Sequence, residues 1–516
     1  IHYKYGLMIK IISRKSDLAV IQAELVAEAL KKADRNISIS FVKKETEGDI
    51  DQLTSLSKLS NIGVFTNDIR ESLLNSEADI AVHSLKDLPI DDQNDTSIVS
   101  ILERADSRDI LFLKKNNLDN YNNKELKILT SSPRRVYNFS NFLKSLLPFN
   151  PSEITFEDIR GNIPTRLKKL LNGNCQGLIV AKAAIDRLIS CENKSISNEI
   201  STLIENFFWM VIPLSLNPCA PGQGAIAIEV NSKREDIIEL IKKINHNETY
   251  SQVAEERGIL QNYGGGCHQK IGVSIEDKFF GKILTIKGQT EEGLKIERRE
   301  IIDNKNNWKN IPENNFFPSN IEKYKLFERK IINKNLIKIN KLKNTNIYVS
   351  RENALPEDIS IESTNVIWTS GIKTWKKLAK KGYWVNGSSD SLGEENPKIN
   401  YLSKNKKWVK LTHNLTPKNY FKSHSSPKNA RIISTYELKP VEILEDLNKK
   451  SHFYWMSGSA FKLVLKNYPE IINANHACGP GNTFNYISKY VDKNNINIFL
   501  SYEDALNTLM RSGDKK

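Results

Sequence analysis

The feature that most constrains the fold is a regular alternation of short β-branched runs with segments of helical period. From Met8 the strand-like run IKIIS is followed by SDLAVIQAELVAEALKKA, in which Leu18, Ile21 and Leu25 recur at helical spacing. Similar pairs of runs follow one another through the first half of the chain and again near its C-terminus. Strands that alternate with helices join most simply into parallel sheets with crossover helices. The pattern therefore predicts an α/β protein.

Changes in composition along the chain predict its domain organisation. A chain of 516 residues is too long for a single hydrophobic core. Residues 303–345 are rich in lysine and asparagine and have weak periodicity, which is typical of a linker. After an upstream extension at 1–7, the first predicted α/β domain combines residues 8–105 with residues 222–245, and the second comprises residues 106–221. A small α+β domain follows at 246–302. The linker at 303–345 then leads to a C-terminal α/β region at 346–516.

Several classes of protein are disfavoured by the composition. No apolar run is long enough to cross a bilayer, and the N-terminal residues lack a secretory signal, so we expect a cytoplasmic protein without a membrane-spanning segment. The cysteines are scattered without a CxxC pair, which predicts reduced thiols and no metal site. They are Cys175, Cys191, Cys219, Cys267 and Cys478.

The net charge of +14 leaves several partners open, namely nucleic acid, a membrane surface or a polyanionic small molecule. The arginine-containing clusters TSSPRR and IRGNIPTR, and the cluster HSLKD, each follow a strand-like run, where open α/β sheets bind ligands. Guanidinium groups bind carboxylates through paired hydrogen bonds. Because no aromatic side chains are interleaved with these clusters, a small polycarboxylate is favoured over nucleic acid.

Two short motifs remain ambiguous on their residues alone. Lys86 and Asp87 lie side by side after a buried strand, where the carboxyl group would be either a proton donor or half of a surface ion pair. Cys267 follows three glycines in GGGCHQ, an arrangement that suits either attachment of a bulky group to the sulfur or a plain buried thiol.

Seven motifs in order make the first part of the chain similar to a known enzyme family. SRKSDLA, FTNDIRESLLNSEADIAVHSLKDLP, ERADSRD, TSSPRR, IRGNIPTRLKKL, APGQGAIAIE and GGGCHQKIGV resemble the signatures of hydroxymethylbilane synthases, also called porphobilinogen deaminases, from about residue 8 to residue 300. The resemblance implies two α/β domains like those of periplasmic binding proteins and a small α+β domain that carries a cofactor cysteine.

The resemblance also implies a reaction, a cofactor and partners. Four porphobilinogen units would be joined, with loss of ammonia, on a dipyrromethane cofactor attached covalently through Cys267, and a linear tetrapyrrole would be released. Asp87 corresponds to the catalytic aspartate. Residues implied to bind the cofactor are Lys86, Ser132, Arg134 and Arg135, and those implied to bind substrate are Arg14, Lys58, Arg160, Arg166, Arg187 and Gln223. The implied protein is a monomer in this part and needs no metal, nucleic acid or membrane.

The C-terminal part resembles a second family. STYELKP, FYWMSGSAFKLVLKNYP and HACGPGNTFNYISK are similar, in order, to uroporphyrinogen-III synthase, which closes the linear tetrapyrrole with inversion of one ring and uses no cofactor. The implied ligand-binding candidates are Tyr436, Ser457 and Thr483. The segment is shorter than a complete two-domain enzyme of this family would be, so one domain is expected to be reduced.

Two other functions compete with this interpretation. A two-domain α/β cleft also suits a non-catalytic solute-binding protein, but such a protein has no use for a thioether-linked cofactor at Cys267. Alternatively, the C-terminal half is a scaffold without activity that stabilises an active deaminase.

Overall fold

The computed structural model describes residues 8–45, 66–90, 95–264, 269–303, 308, 311–321, 324–416, 423–443 and 445–510. In these segments no helix combines the length and apolar character needed to cross a membrane. The chain forms two compact units. The first comprises Ile1–Lys144, Phe149–Asp277 and Leu284–Arg299, and the second comprises Ser145–Pro148, Lys278–Ile283 and Glu300–Lys516.

The predicted alternation of strands and helices is present throughout the first unit. The strands are β1 Met8–Arg14, β2 Ser38–Lys44, β3 Ile80–Ser84, β4 Thr96–Ile101, β5 Asp109–Lys114, β6 Glu125–Leu129, β7 Glu153–Glu157, β8 Gly177–Ala181, β9 Phe207–Ile212, β10 Ile226–Asn231, β11 Gly272–Lys278, β12 Gly281–Gln289 and β13 Lys295–Ile302. The helices are α1 Asp17–Ala33, α2 Asn67–Leu74, α3 Pro133–Phe142, α4 Ile163–Asn172, α5 Lys182–Ser190, α6 Lys194–Ile204, α7 Glu235–Lys242 and α8 Asn247–Gln261.

The first sheet has the strand order β2-β1-β3-β10-β4, with β1 parallel to both β2 and β3 and with β10 antiparallel to its two neighbours. Its apolar face packs against α1, which buries Ile21, Val26 and Leu30. Leu25, one of the residues that indicated this helix, is on the outer face and is exposed. The mixture of directions arises because β10 returns to this sheet after the chain has built the second one.

The second sheet has the order β7-β6-β8-β5-β9, in which β6 is parallel to β7 and β8 while β5 runs antiparallel to β8 and β9. Its central strand β8, GLIVA, is buried along its whole length, as expected for a strand covered on both faces. Strands β11, β12 and β13 form a separate three-stranded sheet after α8. The two larger sheets both bring the carboxyl ends of parallel strands to one edge.

The second unit also alternates strands with helices. Its strands are β14 Phe316–Phe317, β15 Phe327–Ile331, β16 Asn346–Val349, β17 Val366–Thr369, β18 Gly387–Ser388, β19 Trp408–His413, β20 Arg431–Pro440, β21 His452–Trp455, β22 Asn475–Cys478 and β23 Ile496–Ile498. Its helices are α9 Asn333–Asn340, α10 Ile372–Lys380, α11 Asn400–Ser403, α12 Gly458–Asn467, α13 Asn482–Ile487 and α14 Tyr502–Met510.

These strands form two sheets, with the orders β15-β20-β19-β16-β17-β18 and β14-β21-β22-β23. The four-stranded sheet is parallel throughout. Residues 303–345, interpreted from the sequence as a linker, contain β14, β15 and α9. β14 and β15 are edge strands, and the middle of β15 is exposed, so the polar composition of this segment is compatible with strand structure.

A buried carboxylate connects four elements of the first unit. Glu229 on β10 is almost fully buried and accepts hydrogen bonds from Arg70 on α2, at 2.7 Å, and from Thr96 on β4, at 2.6 Å. The Nε2 atom of His83 on β3 lies 3.0 Å from the same carboxylate. Burial alone would raise the pKa of Glu229, but His83, Thr96 and Arg70 outweigh it and lower the pKa to about 2.

This lowered pKa predicts a specific loss of stability in acid. Glu229 stabilises the fold at pH values above its ordinary pKa of 4.5 and loses that contribution as the pH falls toward 2. Between pH 6 and pH 3 we expect the loss to be about 2 kcal/mol, measured by urea denaturation. Glu229→Gln should be less stable at pH 6 and should lack this part of the acid dependence. Glu248→Gln, at an exposed position, should keep it.

Candidate active site

The turn that carries Asp87 is held in place by a helix distant in sequence. β3 ends at Ser84, and a single 3-10 turn, Leu85–Asp87, follows at the edge of the first sheet. Leu85 is buried and anchors this turn, while Asp87 is exposed. Arg257 on α8 donates hydrogen bonds to the backbone carbonyl oxygens of Leu85, Leu88 and Pro89. The position of the Asp87 backbone therefore depends on α8.

Lys86 is the predicted cofactor ligand next to Asp87. Its side chain is partly buried, and desolvation lowers the pKa of Lys86, whereas the Asp87 carboxylate opposes this shift. The positive charges of Arg135 and Arg134 lower the pKa of Lys86 further. Lys86 on the first sheet is thus electrostatically coupled to the paired arginines that follow β6 on the second sheet.

Those paired arginines bind a buried carboxylate. Asp109, at the start of β5, is 1% exposed and accepts hydrogen bonds from Arg134 Nη2 at 2.8 Å and from Arg135 Nη2 at 2.7 Å. Asn217 and Gln223 donate to the same carboxylate at 2.8 and 2.9 Å. Burial would raise the pKa of Asp109, but the two arginines reverse this and hold the pKa far below its usual range.

Arg134 and Arg135 differ in how fully they are bound. Arg134 also donates to the Asn217 side chain at 3.0 Å and to the carbonyl oxygen of Pro218 at 2.7 Å, so both of its terminal nitrogens have protein acceptors. Arg135 has one further bond, a long one of 3.3 Å to the carbonyl oxygen of Ile179, and its buried Nε atom has no partner. Of the two, Arg135 has more hydrogen-bonding capacity left for a ligand.

Serine side chains shape the loops that present these groups. Ser132 caps α3, where its hydroxyl accepts a hydrogen bond from the Arg135 amide at 3.4 Å. Ser131 connects the loops after β6 and β7 through two hydrogen bonds of 2.8 Å with the backbone of Ile159. Arg160 follows Ile159 directly, so this pair of bonds fixes the backbone from which Arg160 extends.

Arg166 is the residue at which the predicted site converges. Desolvation and the positive charges of Arg135 and Arg160 lower the pKa of Arg166 to about 10. Arg14, at the end of β1, acts in the same direction, and the Asp87 carboxylate opposes the shift. These five side chains come from both large sheets of the first unit and are close enough to interact electrostatically. Positive neighbours that lower the pKa of Arg166 mark a region of excess positive charge suited to an anionic ligand.

The remaining substrate-binding candidates in the described residues make mainly structural contacts. Arg187 is 8% exposed and donates to the Gly224 carbonyl oxygen at 2.7 Å, and desolvation lowers the pKa of Arg187 to about 10. Gln223 is 1% exposed and donates to the Ser107 carbonyl oxygen at 2.7 Å as well as to Asp109. Arg187 thus binds one of the two segments that connect the large sheets, and Gln223 joins one of these segments to the other. Cys267 and Lys58 lie outside the described residues.

A second buried ion pair fixes the helix that leads to the glycine-rich segment. Glu256 on α8 is fully buried and binds Arg104 through two hydrogen bonds of 2.8 Å. The same carboxylate accepts from the backbone amides of Gly222 and Ile275 at 3.0 Å. Glu256 therefore joins α8 to a segment that connects the large sheets and to β11. Arg257, which binds the Asp87 turn, is the next residue on this helix.

The C-terminal candidates lie on both sheets of the second unit. Tyr436 on β20 is 3% exposed, and burial raises the pKa of its phenol, while a hydrogen bond with Ser350 opposes the shift. Ser457 caps α12 by accepting from the Ala460 amide at 3.2 Å, so its contact is structural. Thr483 lies in α13, after the left-handed Gly481. Tyr436 is on the six-stranded sheet, whereas Ser457 and Thr483 follow strands of the four-stranded sheet.

The sequence interpretation missed the residues that hold the site together. Asp109, Glu256 and Arg257 each make several buried or partly buried hydrogen bonds to segments far away in the chain. Asp109 lies within the quoted motif ERADSRD, but nothing in its local pattern indicates that it binds both arginines of TSSPRR. An apolar strand that begins with an acidic residue, as in DILFLK, is the one local signal that suggests a buried carboxylate.

The first unit is therefore an α/β protein in which the carboxyl edges of two sheets present one aspartate among several arginines. A sequence profile described as "Porphobilinogen deaminase, dipyromethane cofactor binding domain" matches residues 9–239. The porphobilinogen deaminase of Caldicellulosiruptor saccharolyticus is 36% identical over 284 residues, which cover 54% of this chain and 89% of that protein. The porphobilinogen deaminase of Syntrophomonas wolfei is 35% identical and covers 54% of this chain and 82% of that protein. The chain belongs to the porphobilinogen deaminase family.

The comparison with solved structures is weaker. The substrate-binding protein of an amino acid ABC transporter aligns with 48% of this chain and 96% of that chain, with 9% sequence identity. The TM-score of 0.25 is too low for any conclusion from this alignment. The α/β class follows from the sheets themselves, and the family follows from the sequence relatives, which match about half of the chain.

Proposed function

We propose that the first unit is a hydroxymethylbilane synthase, which joins four porphobilinogen units head to tail with loss of ammonia and releases the linear tetrapyrrole. The observation that carries this proposal is the convergence of Arg14, Arg135, Arg160 and Arg166 with Asp87. Each porphobilinogen brings an acetate and a propionate group. Guanidinium groups are suited to bind these carboxylates through paired hydrogen bonds.

Asp87 is the proposed proton donor. Its carboxyl group is exposed at the end of β3, beside Lys86 and within electrostatic reach of Arg166. In its acid form it transfers a proton to the amino group of bound porphobilinogen, so that the C–N bond breaks and neutral ammonia leaves. The resulting carboxylate stabilises the positive charge that remains on the pyrrole. When the new C–C bond has formed, Asp87 accepts the proton released from the α-carbon.

The proposed role of Asp87 predicts a defect in chemistry without a defect in folding. Asp87→Asn should lower the rate of porphobilinogen consumption at least 100-fold, the range typical of a lost general acid. Because Asp87 is exposed, we expect the melting temperature to change little. Asp95→Asn, a matched change at another exposed position of the first unit, should retain full activity. Near-normal turnover in Asp87→Asn would contradict the assignment.

The dipyrromethane cofactor is proposed to be attached to Cys267, and the electrostatics of the described residues fit it. Its carboxylates need cationic partners, and Arg135 offers a buried Nε atom without a partner within electrostatic reach of Lys86. When bound, the cofactor supplies the free α-carbon to which the first substrate unit is joined. Ser132 and Arg135 would hold its carboxylates, and Arg134 would support them through its hydrogen bond to Asp109, which also binds Arg135.

Intact mass spectrometry tests the attachment. Protein purified in its native state should carry the added mass of one dipyrromethane, and peptide mapping should locate it on Cys267. Cys267→Ser should lack this mass and be inactive, whereas Cys175→Ser, at a thiol that donates to Glu157, should keep both the mass and activity. Active parent protein with an unmodified Cys267 would contradict the proposal and would favour another site or a non-catalytic solute-binding function.

We propose as a second function that the C-terminal unit is a uroporphyrinogen-III synthase. Two features support this. The unit contains two α/β sheets, and the chain passes between them twice, from β14 to β15 and from β20 to β21. The matched tyrosine, Tyr436, lies at the carboxyl edge of the larger sheet close to two arginines. The alternative is a C-terminal scaffold without activity.

Product analysis distinguishes these alternatives. The full chain is supplied with porphobilinogen, and the cyclic products are oxidised to porphyrins and separated by chromatography. An active second unit should give mainly the type III isomer, because it acts on the linear tetrapyrrole before spontaneous closure. The control is linear product that cyclises after removal of the protein and gives type I. Exclusive type I product from the full chain would show that the second unit lacks this activity.

A further inference from the structure

The strand order of the six-stranded sheet defines a crevice in the second unit. From β16 the chain proceeds to β17 and β18 on one side and then returns to β19 and β20 on the other, and all these strands run parallel. The direction of winding therefore reverses between β16 and β19. In open α/β sheets, ligands bind beyond the carboxyl ends of the two strands at such a switch point. The residues that follow β16 and end β19 line this position.

Those residues form a polar cluster that continues onto the neighbouring strands. Ser350 and Arg351 directly follow β16, and His413 is the last residue of β19. In the sheet register His413 is opposite Tyr436, and Tyr436 is opposite Ile331 on β15. The ring centroids of His413 and Tyr436 are 5.9 Å apart. Arg329 lies two residues before Ile331 on β15.

The cluster contains two guanidinium groups that interact with each other. Desolvation lowers the pKa of Arg329, and the positive charge of Arg351 lowers it further. Both arginines, together with burial and Lys410, lower the pKa of His413 to about 4, so its imidazole is neutral at neutral pH. Among the described residues, neither Arg329 nor Arg351 forms a side-chain hydrogen bond or an ion pair.

Nearby acidic groups offset this positive charge only in part, because Glu352, which interacts with Arg329 and Arg351, is also paired with a lysine. Glu352 binds Lys377 at 2.7 Å, and Glu394 binds Lys410 at 2.5 Å. A buried atom in the cluster also lacks a partner, since His413 Nδ1 has no hydrogen bond in the described part of the structure. The neutral imidazole, the phenol of Tyr436 and two guanidinium groups together form a site with hydrogen-bonding capacity for an anion.

We propose that Arg329 and Arg351 form a carboxylate-binding site at this switch point, with Tyr436 and His413 beside it, and that it holds one acidic side chain of the linear tetrapyrrole. The assignment of this ligand rests on the proposed function of the second unit. The presence of an anion site rests on the sheet register, the unpartnered His413 Nδ1 atom and the mutual electrostatic effect of the two arginines. Two guanidinium groups bound to one carboxylate group would fix the position of part of the tetrapyrrole while its two ends meet for ring closure.

The test compares the full-length variants Arg329→Gln and Arg351→Gln with a matched control, Lys330→Gln, which removes a positive charge from the exposed middle of the same strand. Consumption of porphobilinogen reports the first unit and should be unchanged in all three. The ratio of type III to type I product should fall about 10-fold in each arginine variant, the effect of one lost charged hydrogen bond. Lys330→Gln should match the parent.

A binding measurement tests the anion site independently of the proposed synthase function. Uroporphyrin, a stable porphyrin that carries acetate and propionate groups, is titrated against the parent and each variant by equilibrium dialysis. We expect the Kd to rise about 10-fold in Arg329→Gln and Arg351→Gln only. If the parent makes no type III product but the variants still weaken uroporphyrin binding, the synthase function fails and the anion site stands. An unchanged Kd together with an unchanged product ratio in folded variants would overturn the site.

Folding of the variants is checked by circular dichroism and thermal unfolding. Arg329 is exposed on an edge strand, so its replacement by glutamine should leave the melting temperature unchanged. Arg329→Gln therefore tests the site even if Arg351→Gln is destabilised.

Discussion

The buried carboxylate of Asp109 is the interaction on which the first unit depends most. It accepts hydrogen bonds from Arg134, Arg135, Asn217 and Gln223, which come from α3 and from the segment that returns the chain to the first sheet. A buried charge is stable only when it is fully paired. Any arrangement that separates these segments would leave either a carboxylate or two guanidinium groups unpaired in a dry environment. The network therefore selects one arrangement of the paired arginines.

This network also divides the arginines between structural and ligand-binding roles. The two terminal nitrogens of Arg134 donate hydrogen bonds to the side chains of Asp109 and Asn217 and to the carbonyl oxygen of Pro218. Arg166 donates a hydrogen bond from its Nε to the Gly161 carbonyl oxygen, while desolvation and neighbouring arginines lower its pKa and the Asp87 carboxylate opposes that shift. The carboxylate of an incoming pyrrole would supply the missing negative charge.

The sequence predicted the α/β class and the positions of strand ends, because both depend on local periodicity. It therefore also predicted that Asp87 and the arginines of TSSPRR and IRGNIPTR would follow strands. It did not predict which cations would be neutralised within the protein, since Asp109 and Arg134 are 25 residues apart and the Arg257 bond to Leu85 in the Asp87 turn spans 172 residues. Polar edge strands such as β15 were also missed, because exposed strands lack the apolar alternation that indicates a strand.

The edge strand β15 illustrates how a segment with linker composition contributes to a site. It pairs antiparallel with β20, so that Ile331 is opposite Tyr436 and Arg329 is opposite Leu438. An antiparallel strand on the edge of a parallel sheet begins where its neighbour ends, and Arg329 is thereby brought to the carboxyl edge, where Arg351 follows β16. Without this strand, the switch point between β16 and β19 would have one guanidinium group instead of two. The addition of β15 therefore changes the charge of the crevice as well as completing the sheet.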